Sequence, residues 1–175
     1  MERHLKDSEY KFTKEELRDF AIEKLKERGV ELEDICEIIY ILQKDYVKDL
    51  NLDICMHHLM RVLSKREVVN AILTGIEIDI LAEKGLLSEP MLSVIRSDEG
   101  LYGIDEILPL SIVNIYGSIG LTNFGYLDKK KIGIIEKIDK AKDDTVNTFL
   151  DDIVAALAAA SASRLAHSNK EKYGA

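Results

Sequence analysis

The chain has 175 residues, of which 46% are hydrophobic and 32% are charged, and its formal net charge is −8. This length suits one domain with a core large enough to fold independently. The acidic balance argues against a nucleic-acid backbone as partner, because binding of that kind needs clustered Lys and Arg. A phosphorylated substrate remains compatible with it, since a bound metal cation would reverse the local charge.

The two cysteines, Cys36 and Cys55, are far from any CxxC spacing, and the first ten residues are polar rather than signal-like. Both features predict a reducing, cytoplasmic environment. No run of 18 apolar residues is present, so we expect no single helix to span a membrane. The nearest approach, residues 153–160, is short and follows two aspartates.

Apolar residues recur at helical spacing along the chain, and no segment shows sustained strand alternation. Thr13 with Glu16 and Ser64 with Glu67 have the capping-box pattern of helix starts. Gly117 and Gly120 predict a break, and Gly133 a weak point within a later helix. We therefore predict an all-α single domain over residues 1–175, a bundle of about eight helices. The predicted helices cover approximately residues 13–28, 31–48, 51–63, 64–85, a short segment from 88, 105–115, 122–140 and 143–167.

Three groups of acidic residues follow one another in the second half of the chain. An isolated acid is usually on a solvated surface. For Asp105 and Glu106, favourable charge at the start of a helix is as good an explanation as a functional site. The groups are Asp98 with Asp105 and Glu106, Asp128 with Lys131 and Asp139, and Asp151 with Asp152.

Asp151 and Asp152 open a segment that stays almost wholly apolar for three turns. Burying two carboxylates at such a position is costly unless a cation, a basic side chain or the helix terminus compensates. On a helix that began at Asp143 or Asp144, Asp144 and Thr148 would share a face with Asp151.

Lys131 is three residues beyond Asp128, on the same side of the predicted helix. Asp139 would lie about 16 Å further along an unbroken helix, which is too far to share a metal unless Gly133 breaks it. Carboxylate oxygens alone suit Mg²⁺ or Mn²⁺ rather than Zn²⁺, and such ions usually serve phosphate chemistry. A lysine nearby would hold a phosphate oxygen.

The three groups resemble the sequence blocks of the phosphatidylglycerophosphatase A family. The string DEGLYGIDE, residues 98–106, is similar to D-P-x-x-x-V-x-D-E, and LDKKKIGIIEKID keeps the Asp, Lys, Ile and Asp of the second block. The string LDDIVAA is similar to the third block, with Ala156 in place of Gly. The resemblance covers residues 65–167 and is closest to the soluble branch that includes the low temperature requirement C proteins.

This resemblance implies Mg²⁺-dependent hydrolysis of the terminal phosphomonoester of phosphatidylglycerophosphate, giving phosphatidylglycerol. It implies Asp105, Glu106, Asp151 and Asp152 as metal ligands or water-positioning acids and Lys131 as the phosphate-binding residue. Asp128 is a further catalytic candidate, and Asp98 and Asp139 are second choices.

Two alternatives stay open at the level of sequence. One is a soluble phosphatase for a small phosphomonoester, and the other is a non-catalytic helical protein that binds a lipid headgroup or a protein partner. We also expect peripheral contact with a membrane. We expect a homo-oligomer as well, because the Ala-rich segment 155–162 needs close partners on more than one side.

Overall fold

The computed structural model describes residues 11–141 and 145–173, with side chains to residue 168. All regular structure in this part of the chain is helical, which confirms the predicted all-α class. The elements are α1 Lys14–Glu27, α2 Leu32–Gln43, α3 Leu52–Leu63, α4 Arg66–Glu83, α5 Met91–Arg96, α6 Ile104–Val113, the 3₁₀ turn Asn114–Tyr116, α7 Gly117–Lys130, α8 Ile134–Lys140 and α9 Leu150–Tyr173.

Helix α9 is the centre of the fold. It packs against α2, α3, α4, α6, α7 and α8. Every Ala between Ala155 and Ala162 is 0% exposed, because the small side chains let the neighbouring helices approach closely. The prediction that this run serves helix packing is confirmed. Since one chain buries it completely, however, α9 gives no reason to expect a second copy.

The two predicted capping boxes have different outcomes. At α1, the Glu16 amide donates to Thr13 Oγ1 at 3.2 Å and the Thr13 amide donates to Glu16 Oε2 at 2.7 Å. The second box is wrong, since Ser64 is the C-cap of α3 and its hydroxyl donates to the Arg61 carbonyl. Only two residues join α3 to α4, so Ser64 closes one helix instead of opening the next.

The predicted helix over residues 122–140 is two helices, and its start was placed too late. Helix α7 begins at Gly117, directly after the 3₁₀ turn. Gly120 does not break it. A Cβ there would lie 3.1 Å from Val113 Cγ1, so the missing side chain permits close packing. The predicted weak point is confirmed, because Lys131 and Gly133 both have positive φ, at +46° and +62°, between α7 and α8.

The last helix begins later than predicted. Asp143 and Asp144 lie outside the described residues, and residues 145–149 precede α9 without being helical. The predicted polar stripe is therefore wrong at Thr148, whose hydroxyl instead donates to the Ile95 carbonyl at 2.7 Å. Asp151 and Asp152 consequently lie in the first turn of α9. Helix α2 is shorter than predicted, ending at Gln43, and α9 runs beyond residue 167 to Tyr173.

Candidate carboxylate and lysine site

The Lys131 ammonium lies among three carboxylates from two helices. Its Nζ is 2.7 Å from Asp151 Oδ2, 3.2 Å from Asp128 Oδ1 and 3.6 Å from Asp152 Oδ1. Lys131 caps the C-terminus of α7 with a left-handed backbone, φ 46° and ψ 63°, which a non-glycine residue adopts at some cost. The end of α7 is thereby joined to the start of α9.

Burial dominates the electrostatics of this cluster. It raises the pKa of Asp152 to about 8, with the neighbouring Asp151 charge acting in the same direction. Burial also raises the pKa of Asp151, although Lys131 opposes that shift. Burial alone would lower the pKa of the Lys131 ammonium, but its interactions with Asp151 outweigh this and raise it above its ordinary value. Lys131 is therefore a permanent cation facing acids that resist ionisation.

The first acidic group reaches the same cluster from α6 and the loop before it. The charge of Asp105 contributes to the raised pKa of Asp152, after burial and the nearer charges. Asp98 also has a raised pKa, caused by burial and then by Asp105. Like Lys131, Asp98 has a left-handed backbone, with φ 49°. Asp98 and Asp105 thus interact electrostatically with the acids around Lys131, and Asp98 lines the same cavity as Asp151.

Two of the predicted site residues lie apart from this cluster. Glu106 is exposed, and within the described residues it makes no hydrogen bond or ion pair. Asp139 is an exposed residue of α8, which turns back after the break at Gly133. Its carboxylate still influences Asp98, so it lies at the edge of the site rather than in its centre.

A cavity of about 470 Å³ opens next to the cluster. Asp98, Asp139 and Asp151 line one part of it, and Arg96, Ser97, Thr145 and Asn147 contribute further polar groups. Ile138 and Val146 are among its few apolar linings. A space of this size and polarity suits a hydrophilic ligand in contact with the acids.

Asp79 on α4 is a site-supporting residue that the sequence analysis missed. It is 0% exposed, and its carboxylate accepts hydrogen bonds from the Phe149 amide at 3.2 Å and from the Leu150 amide at 3.1 Å. A signal did exist, since Asp79 continues the buried helical spacing of Ile72 and Ile76. An acid on the apolar face of a helix calls for a buried partner.

Arg28 and Glu83 hold the same region from the other side. Arg28 Nη1 is 2.6 Å from Glu83 Oε1, and Arg28 Nη2 donates to the Val146 carbonyl at 2.8 Å. Glu83 Oε1 in turn accepts from the Val146 amide at 2.8 Å. The segment entering α9 is therefore fixed to the end of α1 and to α4 by partly buried polar groups.

The donor set fits a hard divalent cation. Asp105 Oδ1 and Asp152 Oδ1 are buried and lack a hydrogen-bond partner in the described part of the chain, a costly state that a cation would relieve. All the available ligands are carboxylate oxygens, which suit Mg²⁺. Among the described residues, no three such side chains are already grouped as the ligands of one ion.

The model of the phosphatidylglycerophosphatase A family matches residues 22–167, which include every residue of this carboxylate and lysine cluster. The chain belongs to the phosphatidylglycerophosphatase A family. It is 56% identical over 161 residues to the uncharacterized protein YpjQ of Bacillus subtilis, covering 92% of this chain and 90% of that protein. It is 57% identical over 144 residues to the uncharacterized protein YutG of the same organism, covering 82% and 87%.

Solved structures have the same fold. The crystal structure of YpjQ from Bacillus subtilis superposes with a TM-score of 0.88 at 55% identity, covering 92% of this chain and 99% of that one. The low temperature requirement C protein from Listeria monocytogenes superposes with a TM-score of 0.84 at 57% identity, covering 87% and 96%. The chain therefore shares its helical architecture with these relatives. They include a low temperature requirement C protein, from the branch of the family that the sequence blocks indicated.

One segment, Ile104–Lys130, is long enough to cross a membrane and contains an 18-residue window with a mean hydropathy of 1.3. Of that window, 28% is buried. The 3₁₀ turn and Gly117, with φ +71°, divide it into α6 and α7. By composition alone this is weak evidence for a membrane span, yet it marks an unusually apolar and open part of the surface.

Proposed function

We propose that this protein is a Mg²⁺-dependent phosphatase that hydrolyses the terminal phosphomonoester of phosphatidylglycerophosphate to give phosphatidylglycerol. The observation that carries the proposal is the arrangement of Lys131 with Asp128, Asp151 and Asp152 beside a polar cavity. These residues belong to the segments that match the family, and buried acids with raised pKa values beside a cavity are typical of functional sites.

In this proposal Asp105, Asp151 and Asp152 hold the metal, with Asp128 at the edge of the ligand set. The bound ion supplies charge neutralisation for the phosphate and activation of a water molecule. Glu106, which is exposed, is left out of the ligand set.

Lys131 has two duties. Without ligands it offsets the charge of Asp151, and with substrate its ammonium donates to a phosphate oxygen as a compact point charge. Asp98 and Asp139 line the cavity where a water molecule and the headgroup would enter, and they orient these groups by accepting hydrogen bonds.

Exposed apolar side chains next to the site support a lipid substrate. Ile104 and Ile107, which flank Asp105 in α6, are 51% and 60% exposed, and Leu101 in the preceding loop is 93% exposed. Acyl chains at a membrane surface would cover these side chains while the headgroup enters the polar cavity. A cytoplasmic protein in peripheral contact with the membrane is the location that fits this arrangement.

The polar lining of the cavity favours one second candidate, a phosphatase for a small water-soluble phosphomonoester. Phosphate release from phosphatidylglycerophosphate in mixed micelles should be compared with release from glycerol 3-phosphate, each with Mg²⁺ and with EDTA. Faster, Mg²⁺-dependent release from the lipid supports the proposal. A preference for the soluble ester would favour the second candidate, and absence of release from both would favour a non-catalytic role.

The expected homo-oligomer remains part of this proposal. Its support is the exposed apolar surface of α6 and α7 rather than α9, which is covered within one chain. Sedimentation velocity over a hundredfold concentration range should show a species larger than the monomer. A single monomeric species throughout that range would contradict it.

A further inference from the structure

We propose that Asp79 is a positioning residue for the site: it fixes the start of α9 so that Asp151 and Asp152 face Lys131 and the cation. This inference rests on the proposed function, because it concerns residues that the proposal treats as metal ligands. Asp79 acts through the backbone of α9 and does not itself bind the ion.

Among the described residues, no side chain close in sequence accepts a hydrogen bond from the Phe149 or Leu150 amides at the start of α9, and the Leu150 amide has one local backbone partner, the Asn147 carbonyl at 3.2 Å. The residue before Leu150 is Phe149, which offers no hydrogen-bond acceptor. Helix N-termini leave free amides that need such acceptors, and buried amides need them most. Asp79 supplies both oxygens from another helix, 70 residues away in sequence, to the Phe149 and Leu150 amides. The start of α9 is thus determined by α4.

The shape of α4 supports the same arrangement. Gly75 precedes Asp79 by four residues and faces the same side of the helix. A Cβ at Gly75 would lie 2.5 Å from Ile153 Cδ1 and 3.1 Å from Phe149 Cβ, so the first turn of α9 lies directly against it. Gly75 and Asp79 therefore lie on the face of α4 that contacts the start of α9. Gly75 permits the close approach, and Asp79 accepts hydrogen bonds from the amides there.

The carboxylates of the site come directly after these contacts in the sequence. Asp151 is the next residue after Leu150, and its Oδ1 accepts from the Asp152 amide at 2.9 Å, which orients both side chains relative to the helix start. Lys131 follows the last residue of α7, so the position of the α9 start relative to the end of α7 decides whether the acids meet it. If the first turn frayed, the acids would lose their common orientation while the remaining α9 core stayed packed.

The test is Mn²⁺ binding, measured by calorimetry and by electron paramagnetic resonance, on two substitutions at one position. Asp79→Leu has similar size but accepts no hydrogen bond, and it should weaken Mn²⁺ binding at least tenfold. Asp79→Asn keeps an acceptor oxygen, and it should weaken binding no more than about threefold. If Asp79→Leu does not fold, Asp79→Ala carries the same expectation.

Val68→Ala is the control for a general loss of stability. Val68 is a fully buried residue of α4, and it lies about 16 Å from Asp79 along the helix. The Val68→Ala substitution should lower the melting temperature yet leave the Mn²⁺ affinity unchanged within twofold. The inference is overturned if Asp79→Leu binds Mn²⁺ as Val68→Ala does. It is equally overturned if Asp79→Asn is as damaging as Asp79→Leu, since charge rather than hydrogen bonding would then matter.

Amide hydrogen exchange separates this inference from the proposed function. If the wild-type protein binds no Mn²⁺, the metal proposal fails by itself. In that case the amides of Phe149, Leu150 and Asp151 should still exchange at least tenfold faster in Asp79→Leu than in Val68→Ala. Equal exchange rates in the two variants would overturn the role of Asp79.

Discussion

At the scale of single residues, the site is a group of buried acids around one ammonium. Asp151 and Asp152 are 8% and 4% exposed, burial raises the pKa of both, and Lys131 is the nearest cation. Removing one partner from such a group usually costs more than forming the group gains, because the remaining charges stay buried. The cluster should therefore respond strongly to pH, to removal of its lysine and to added cations.

Stability without metal should fall as pH rises from about 6.5 to 8. Burial raises the pKa of both Asp79 and Asp152 to about 8, so in this range the folded chain holds protons that the unfolded chain has lost. The slope reaches about 1.4 kcal/mol per pH unit for each such proton. Burial lowers the pKa of His58 to about 4. The protonation of His58 therefore differs between the folded and unfolded chains mainly below this pH range.

Urea denaturation in EDTA at several pH values measures this slope. Asp152→Asn should make the dependence shallower, because the amide does not titrate. A free energy of unfolding that stays constant or increases from pH 6.5 to 8 in the wild-type protein would be inconsistent with buried, protonated acids.

Lys131→Met should destabilise the protein in EDTA by about 1–3 kcal/mol, because Asp151 loses its 2.7 Å partner while remaining buried. Added Mg²⁺ should reduce this deficit, since the ion binds only the folded form and replaces the missing charge. Lys130→Met is the matched control, because Lys130 is exposed. Thermal denaturation of both variants tests this prediction: equal melting temperatures would show that Lys131 does not stabilise the folded protein through the buried acids.

At the scale of elements, close contact between α4 and α9 determines where the acids lie. Helix positions that depend on local signals were predicted correctly from sequence, as with the Thr13 cap of α1 and the break at Gly133. The start of α9 was placed wrongly because its cap, Asp79, comes from α4 and is invisible to a local pattern. The pairing of Lys131 with Asp128 was predictable because both lie within one turn of α7.

Gly75→Ala should destabilise the protein by about 1–3 kcal/mol. The added methyl would meet Ile153 at 2.5 Å, and overpacking of a tight helix contact has a cost of that order. Gly125→Ala in α7 is the control, since no atom lies within 4 Å of its added Cβ. The control should be neutral or stabilising by about 0.5–1 kcal/mol through helix propensity. If Gly75→Ala were as stable as Gly125→Ala, the close approach of α4 and α9 would be wrong.

At the scale of the whole molecule, one helix supplies both the centre of the core and the acidic pair of the proposed site. Helix α9 begins with the acidic pair and continues as the Ala-rich centre of the bundle. The fold class followed from sequence, because helical periodicity is a local pattern. Neither the exposure of Glu106 nor the cavity beside Asp98 could be predicted, since both depend on how separate helices pack.

The most direct test of the central claim is Mg²⁺-dependent phosphate release from phosphatidylglycerophosphate by the wild-type protein and by Asp151→Asn. A carboxylate that holds the metal cannot be replaced by an amide, so the variant should lose activity on the order of a thousandfold or more while remaining folded. Asp105→Asn should behave in the same way. Glu136→Gln, which changes an exposed acid of α8 paired with Lys140, should retain full activity. Wild-type activity that is absent, or that survives both Asp151→Asn and Asp105→Asn, would contradict the assignment of this cluster as a metal-dependent phosphatase site.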